Sequence, residues 1–395
     1  MARPLDGFRV LDLTQHIAGP FAGQMLADMG AEVIKVERPG TGENARLSAP
    51  IINGHSLYLA MYNRNKKAIT LNLLSPGGQD IFKELVRKSH LVLENFRPGV
   101  MASFGFDFEN LKNVKSDIIL VSVSGFGQTG PYSLRPAYDP IIQAMAGYME
   151  ITGYPDRPPV KTGAAAADFI TGLYASIGAL LALMHHQRTG EGQMVDVAML
   201  DAVASTLEFF IPNYLMTGEV KTRTANLNPL NAPSNSFKAK DGYVYAHAST
   251  DEQWQHLVAA IGRPELADEP CFKTRADRRK HRDETNAVVD EWASRHTVAE
   301  VVAAMDKAGV PCGPVNTIPQ VAEDPQLRSR EMIREVEYGA LGKVPVMGPV
   351  VRLSKTPAQI VSGPPVLGQH KKDVYCGLLG HSDDDLERWK GQGII

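Results

Sequence analysis

Phe8-Arg9-Val10-Leu11-Asp12-Leu13, the segment Gly19 to Met29, and Ala31-Glu32-Val33-Ile34-Lys35-Val36-Glu37 decide the fold of this 395-residue chain. The first and third are apolar, β-rich runs of strand length. Between them Phe21, Met25 and Leu26 recur at helical spacing, and Gly30 stops the helix. Strand, helix and strand within some thirty residues form a βαβ unit, which requires a parallel sheet with a right-handed crossover.

The alternation continues outward. Ala68 to Leu74 reads as a strand, Gln79 to Lys88 as a helix, Leu91-Val92-Leu93-Glu94 and Ile118 to Ser124 as further strands. The fold class is therefore α/β, a Rossmann-like doubly wound domain. Ligands of such sheets gather in the loops at the carboxyl ends of the strands. Asp168 to Gln187 reads as one long helix with Phe169, Leu173, Ile177, Leu180 and Met184 on one face and small residues on the other. Its apolar stretch, Phe169 to Met184, is too short to span a bilayer.

The pattern changes near Thr222. Ser236 to Lys240 and Tyr243 to Ala246 flank Asp241-Gly242, a hairpin signature. Helical patterns follow at Glu252–Ile261, Arg275–Arg295 and Thr297–Ala308. The expected division is a large domain over 1–222, a small α/β domain over 223–320, and a return segment over 321–395.

Bulk properties exclude several classes. The chain is 44% hydrophobic and 22% charged with net charge -3, so it lacks the basic excess of a nucleic-acid binder. Cys271, Cys312 and Cys376 are odd in number and far apart, which suggests neither a disulfide framework nor a metal site. A reducing cytoplasm is expected, and the first residues show no apolar signal region. The histidines, including His185-His186, lack metal-ligand spacing, so no metal is expected. No GxSxG elbow occurs.

Asp168 admits two readings. It can cap the long helix, since Asp is a preferred N-cap residue. It can also be a nucleophile, because a carboxylate at a helix N-terminus is expected to stay ionised and Asp is a known covalent catalyst. The readings conflict in detail, since a tightly capping oxygen attacks poorly. Gly125-Phe126-Gly127-Gln128-Thr129-Gly130 spells GxGxxG after a strand, but Pro131 and Pro136 follow where the dinucleotide fingerprint needs a helix. An NAD-dependent dehydrogenase is thus an alternative without its context. Arg64-Asn65-Lys66-Lys67 reads either as a solvated loop or, with Arg38 and Arg97, as part of a cationic rim for phosphates.

The segments Pro4 to Thr14, Ala18-Gly19-Pro20, Leu26 to Glu37, Asn63 to Lys67, Glu94 to Gly99, Ser124 to Gly127, Ala137-Tyr138-Asp139, Asp168, Thr189 to Gln193, Gly309 to Pro314 and Leu367 to His370 together resemble family III CoA-transferases, the CaiB/BaiF group, in order along nearly the whole chain. The resemblance implies two domains joined by extended linkers and a homodimer of interlocked rings. It implies coenzyme A as substrate rather than a permanent cofactor, and Asp168 as carrier of the acyl group and then of CoA. CoA contacts carry over to Arg38, Leu71, Asn72, Leu73, Asn95, Phe96, Arg97 and Tyr138, and a substrate pocket to Gln15, His16 and Ile17.

Two departures narrow the chemistry. Formyl-CoA transferases carry a Gln where this chain has Ile17, and a glycine run where it has Asn228-Pro229-Leu230-Asn231-Ala232-Pro233-Ser234-Asn235. The chain looks more like relatives that handle dicarboxylates such as succinate. The racemases of the same fold use a His where Tyr138 stands, and a tyrosine of ordinary pKa is a weak base near pH 7. A racemase or epimerase, and an inactive partner subunit, are the alternatives to CoA transfer.

Overall fold

The computed structural model describes residues 3–395. They form two compact units: the described residues up to Tyr148, Lys161–Pro212 and Pro325–Ile395 in the larger, Met149–Val160 and Asn213–Asp324 in the smaller. Sequence had set the borders at 222 and 320. The structural borders fall at Pro212 and Asp324, and Met149–Val160 also clusters with the smaller unit.

The larger unit is built on six strands: β1 (Arg9–Asp12), β2 (Glu32–Glu37), β3 (Lys66–Thr70), β4 (Leu91–Glu94), β5 (Ile119–Ser124) and β6 (Met194–Ala198). All neighbours pair in parallel, in the order β3-β2-β1-β4-β5-β6. This is the order of doubly wound nucleotide-binding sheets, whose crevice opens where the order reverses, between β1 and β4. Strand side chains alternate. Leu11, Ile34, Val92 and Leu120 enter one core with Phe82, Leu85 and Val86 of helix α1 (Pro76–Arg87). Val10, Val33, Leu91, Ile119 and Val121 enter the other. Both sheet faces are covered, which is why the strands read as continuous apolar runs.

That second core is closed by helix α2 (Ala18–Asp28) and the 24-residue helix α3 (Ala166–Thr189). The two approach closely because residue 172 is glycine. A Cβ there would stand 2.7 Å from the Ala18 carbonyl oxygen and 2.8 Å from the Phe21 ring. Helix α3 is long and apolar enough to cross a membrane by length and composition. Its Ala175, Ala179, Ala182 and Leu183 nevertheless lie in the core. The chain end also belongs to this unit: Ile394 and Ile395 are buried in the first core, and the Asn72 N–H donates to the Ile394 carbonyl at 2.8 Å.

The smaller unit has its own core, on Phe237, Val244, Trp254, Leu257 and Val301. The expected hairpin is present as Ser234–Lys238 paired with Tyr243–His247. The helix expected over Arg275–Arg295 is broken at His281 into Arg275–Lys280 and Arg282–Ala293.

Candidate active site

The loops that leave the carboxyl ends of the strands build two cavities that meet. The larger, about 500 Å³, is lined by Arg38, Leu71, Asn72, Leu73 and Phe96. The smaller, about 240 Å³, is lined by His16, Asn95, Arg97, Tyr138 and Asp168. Gln15 and Phe96 line both, so the two adjoin, one wide and one narrow. The sequence-derived contacts are brought together here with one exception. Ile17, expected in the substrate pocket, is only 7% exposed and lines neither cavity. It stands directly before α2, at the N-cap position, where it is taken up by packing.

The crevice is held at the point where the strand order reverses. The Gln15 N–H donates to Asn95 Oδ1 and Asn95 Nδ2 returns a bond to the Gln15 carbonyl, both at 2.8 Å. Glu94 Oε2 accepts from the Phe96 N–H at 2.7 Å. His16 sits at φ 67°, a left-handed conformation that a non-glycine residue keeps only when its surroundings impose it. Here the imposing group is Glu43, whose Oε2 accepts from the His16 N–H at 2.9 Å.

Glu43 ends a chain of buried charges beneath that loop. Its Oε1 pairs with Lys35 Nζ at 2.8 Å. Lys35 Nζ donates to the Thr14 carbonyl at 2.8 Å, and the Thr14 N–H donates to Asp12 Oδ1 at 2.8 Å. Asp12 Oδ2 takes Lys66 Nζ at 2.7 Å, with both side chains fully buried. Burial pushes the Asp12 carboxyl up, but the charges of Lys66 and Lys35 override it and hold its pKa below the usual value. This corrects the reading of Arg64-Asn65-Lys66-Lys67. Lys66 binds Asp12, Arg64 binds Asp28 at 2.6 Å, and Lys67 binds Glu32 at 2.7 Å. The cluster is neither a solvated loop nor a phosphate rim. Arg38 does line the wide cavity, steadied by bonds to the Gly42 carbonyl at 3.2 Å and Asn44 Oδ1 at 2.9 Å.

Asp168 stands inside the first turn of α3, not at its start. The N-cap is Ala165, which provides no side-chain cap. The capping is done from a distant place: Asp139 Oδ1 accepts from the Ala167 N–H at 2.8 Å, and its Oδ2 accepts from Gln143 Nε2 at 2.8 Å. The Asp168 carboxylate accepts no hydrogen bond among the described residues. Burial, and then the charge of Asp139, push its pKa up to about 7, against the expectation that the helix N-terminus keeps it readily ionised. The charge of Asp168 adds to burial in raising the Tyr58 and Tyr62 hydroxyls above the usual tyrosine range. Neither tyrosine was singled out from sequence, and nothing in the local pattern marks them. A half-buried, ionisable and unengaged carboxylate in a small cavity is suited to nucleophilic attack on a carbonyl.

The Gly125–Gly130 fingerprint opens no helix. The loop runs without regular structure to helix α4 (Asp139–Met145). Among the described residues no group of three or more His, Cys, Asp or Glu side chains could hold a metal.

Comparison with known proteins adds an independent line. The sequence model of CoA-transferase family III matches residues 5–371. The succinyl-CoA–D-citramalate CoA-transferase of Chloroflexus aurantiacus is 40% identical over 395 residues, covering 100% of this chain and 98% of that protein. The human succinyl-CoA:glutarate CoA-transferase is 35% identical, covering 100% of this chain and 90% of its own length. A crystal structure of a CaiB/BaiF family protein from Brucella suis superposes with a TM-score of 0.87 at 36% identity, over 96% of this chain and 100% of that one.

Proposed function

Because the chain belongs to CoA-transferase family III, we propose that it moves coenzyme A from succinyl-CoA or a similar dicarboxylyl-CoA to an acceptor carboxylic acid through covalent intermediates on Asp168. The observation that carries this reading is the unengaged Asp168 carboxylate in a narrow cavity that adjoins a nucleotide-sized one. Two relatives whose names specify succinyl-CoA support the choice of donor.

In this reading the nucleotide of CoA occupies the wide cavity beside Arg38 and Leu71–Leu73, and its thioester reaches the narrow part past Gln15 and Phe96. An Asp168 oxygen attacks the thioester carbonyl. The C–S bond breaks, CoA leaves as thiolate, and a mixed anhydride remains. The thiolate attacks the aspartyl carbonyl, expelling the donor carboxylate and leaving an aspartyl-CoA thioester. The acceptor carboxylate attacks that thioester, and the thiolate then attacks the acceptor's carbonyl in the second anhydride, which restores Asp168. Each step exchanges one acyl bond for another of similar energy, so no ATP is consumed. The small volume of the narrow cavity serves the chemistry, because water would hydrolyse the anhydride.

A second part of the proposal is the homodimer of interlocked rings. Leu173, Ile177 and Leu181 on the outer side of α3 are 45%, 51% and 60% exposed. Tyr214, Leu215 and Met216 are also exposed. Apolar faces of this kind mark protein contacts, and a second copy of the chain is the proposed cover. Light scattering on the purified protein should give twice the chain mass, and a monomer would contradict it.

The functional test is a matrix of acyl-CoA donors against carboxylic acids, read by mass spectrometry. Transfer from succinyl-CoA to at least one acid, with free succinate released, is expected. Transfer confined to monocarboxylyl-CoA donors would refute the dicarboxylate reading.

A further inference from the structure

We infer that Arg135 is the specificity-determining residue that receives the distal carboxylate of a dicarboxylic substrate held in the Asp168 cavity. The inference rests on the dicarboxylate reading above and names the residue that enforces it.

Arg135 lines the same narrow cavity as Asp168. It forms no ion pair, and its guanidinium donates no hydrogen bond among the described residues. Half-buried Arg46 and buried Arg64 of the same unit are already committed, to Glu37 and Asp28, each at 2.6 Å, whereas Arg135 is exposed to the cavity and uncommitted. The Arg135 guanidinium is held instead over aromatic rings, 4.9 Å from the Tyr132 centroid and 5.9 Å from that of Phe126. A guanidinium held over rings keeps its N–H donors available. Open donors match a carboxylate, which a guanidinium can take in two parallel bonds.

The place of Arg135 in the chain ties it to the nucleophile. It lies in the loop that ends at Tyr138 and Asp139, and Asp139 holds the N–H of Ala167 beside Asp168. The loop is pressed onto β5. A Cβ at Gly125 would stand 2.4 Å from the Ala137 Cβ, so only glycine admits this approach. The cation and the nucleophile are therefore set by one connected piece of structure. At about 240 Å³ the cavity lies below the roughly 300–1,000 Å³ of drug-sized sites, so it suits a short acid. One carboxyl group of such an acid must meet Asp168. In a dicarboxylate the other needs a cation, because an unpaired charge in a narrow cavity is costly. Arg97 is the other cation lining it that has no ion pair among the described residues, but the family resemblance assigns Arg97 to CoA, which leaves Arg135 for the acid.

The test compares succinate with butyrate, equal in carbon number but with a methyl group in place of the distal carboxylate. For each acid as acceptor, kcat/KM is measured with one fixed acyl-CoA donor in the wild type, in Arg135→Met and in Arg135→Lys. The Met side chain keeps a stem that packs on Tyr132 and Phe126. The wild type should favour succinate. In Arg135→Met that preference should fall about 10- to 100-fold, the worth of a charged hydrogen-bonded contact, with the loss in KM, and Arg135→Lys should recover part of it. An unchanged preference in Arg135→Met, with a wild type that favours succinate, overturns the inference and leaves the dicarboxylate reading standing. Equal losses with both acids also overturn it, since they would mark Arg135 as a CoA contact. A wild type that shows no preference for dicarboxylates overturns the dicarboxylate reading and this inference with it.

Discussion

Asp12, at the end of β1, and Asp168, in the first turn of α3, are carboxylates of the same unit, the first fully buried and the second half-buried, and they meet opposite fates. Asp12 is surrounded by donors: Lys66 Nζ at 2.7 Å and the Thr14 N–H at 2.8 Å. Its pKa is held down. Among the described residues Asp168 has no donor, and burial with the nearby Asp139 charge raises its pKa to about 7. The first carboxylate stabilises the loop that carries Gln15 and His16, and the second is left free to react. The two differ in depth, since Asp12 is fully buried and Asp168 half-buried, but pairing decides what each can do. A carboxylate whose lone pairs are all engaged is structural, and one whose charge is tolerated without partners is available to a substrate.

Substitutions can break this contrast, and the largest effect is expected at the unpaired end. Asp168→Asn removes the nucleophile and should reduce CoA exchange at least about 10⁴-fold. The protein should remain folded, because the carboxylate holds no helix N–H. Circular dichroism alongside the exchange assay checks both halves.

At the paired end, Asp12→Asn leaves Lys66 buried without a counter-charge. A loss of about 3–5 kcal/mol of stability is expected, seen as a lower urea midpoint. If Asp12→Asn unfolds at the wild-type midpoint, the charge chain is not what secures the loop.

A smaller effect of opposite sign is expected for the stability of Asp168→Asn. The folded pKa of Asp168 is raised above its unfolded value near 4, so its ionised form costs folded-state stability. That cost is absent below about pH 4, grows as pH rises, and is complete above about pH 7. The variant should melt at a higher temperature than the wild type at pH 8, with the gain shrinking towards pH 4. An equal or lower melting temperature at pH 8 would mean that Asp168 has partners.

The smallest expected effect concerns the pH profile. Exchange should rise with pH and level off above an apparent pKa of about 7, set by Asp168. Asp139→Asn can still accept from the Ala167 N–H but carries no charge. Its profile should shift to lower pH by less than about one unit, since burial is the larger cause. A shift to higher pH would refute the assigned influence of Asp139.

Much of the architecture was legible because it rests on local periodicity. The runs at Val10, Val33, Leu91 and Ile119 are apolar throughout because both sheet faces are covered, and the intervening helices declare themselves by spacing. Contacts that depend on register were not legible. Asp168 read locally as a cap, yet the cap comes from Asp139, 28 residues before the Ala167 N–H that it accepts. The basic run Arg64–Lys67 read either as a solvated loop or as part of a phosphate rim, but each cation meets an acid supplied by β1, α2 or β2. Arg135 carried no signal at all, since its unpaired state exists only once its neighbours are placed.

The central claim is that Asp168 becomes acylated during turnover. It is tested most directly by quenching the enzyme with hydroxylamine in the presence of succinyl-CoA and mapping peptides by mass spectrometry. A hydroxamate on Asp168, absent without acyl-CoA, is the predicted result. An enzyme that transfers CoA but yields the hydroxamate on another carboxylate, such as Glu94 or Asp139, or on none, would contradict it.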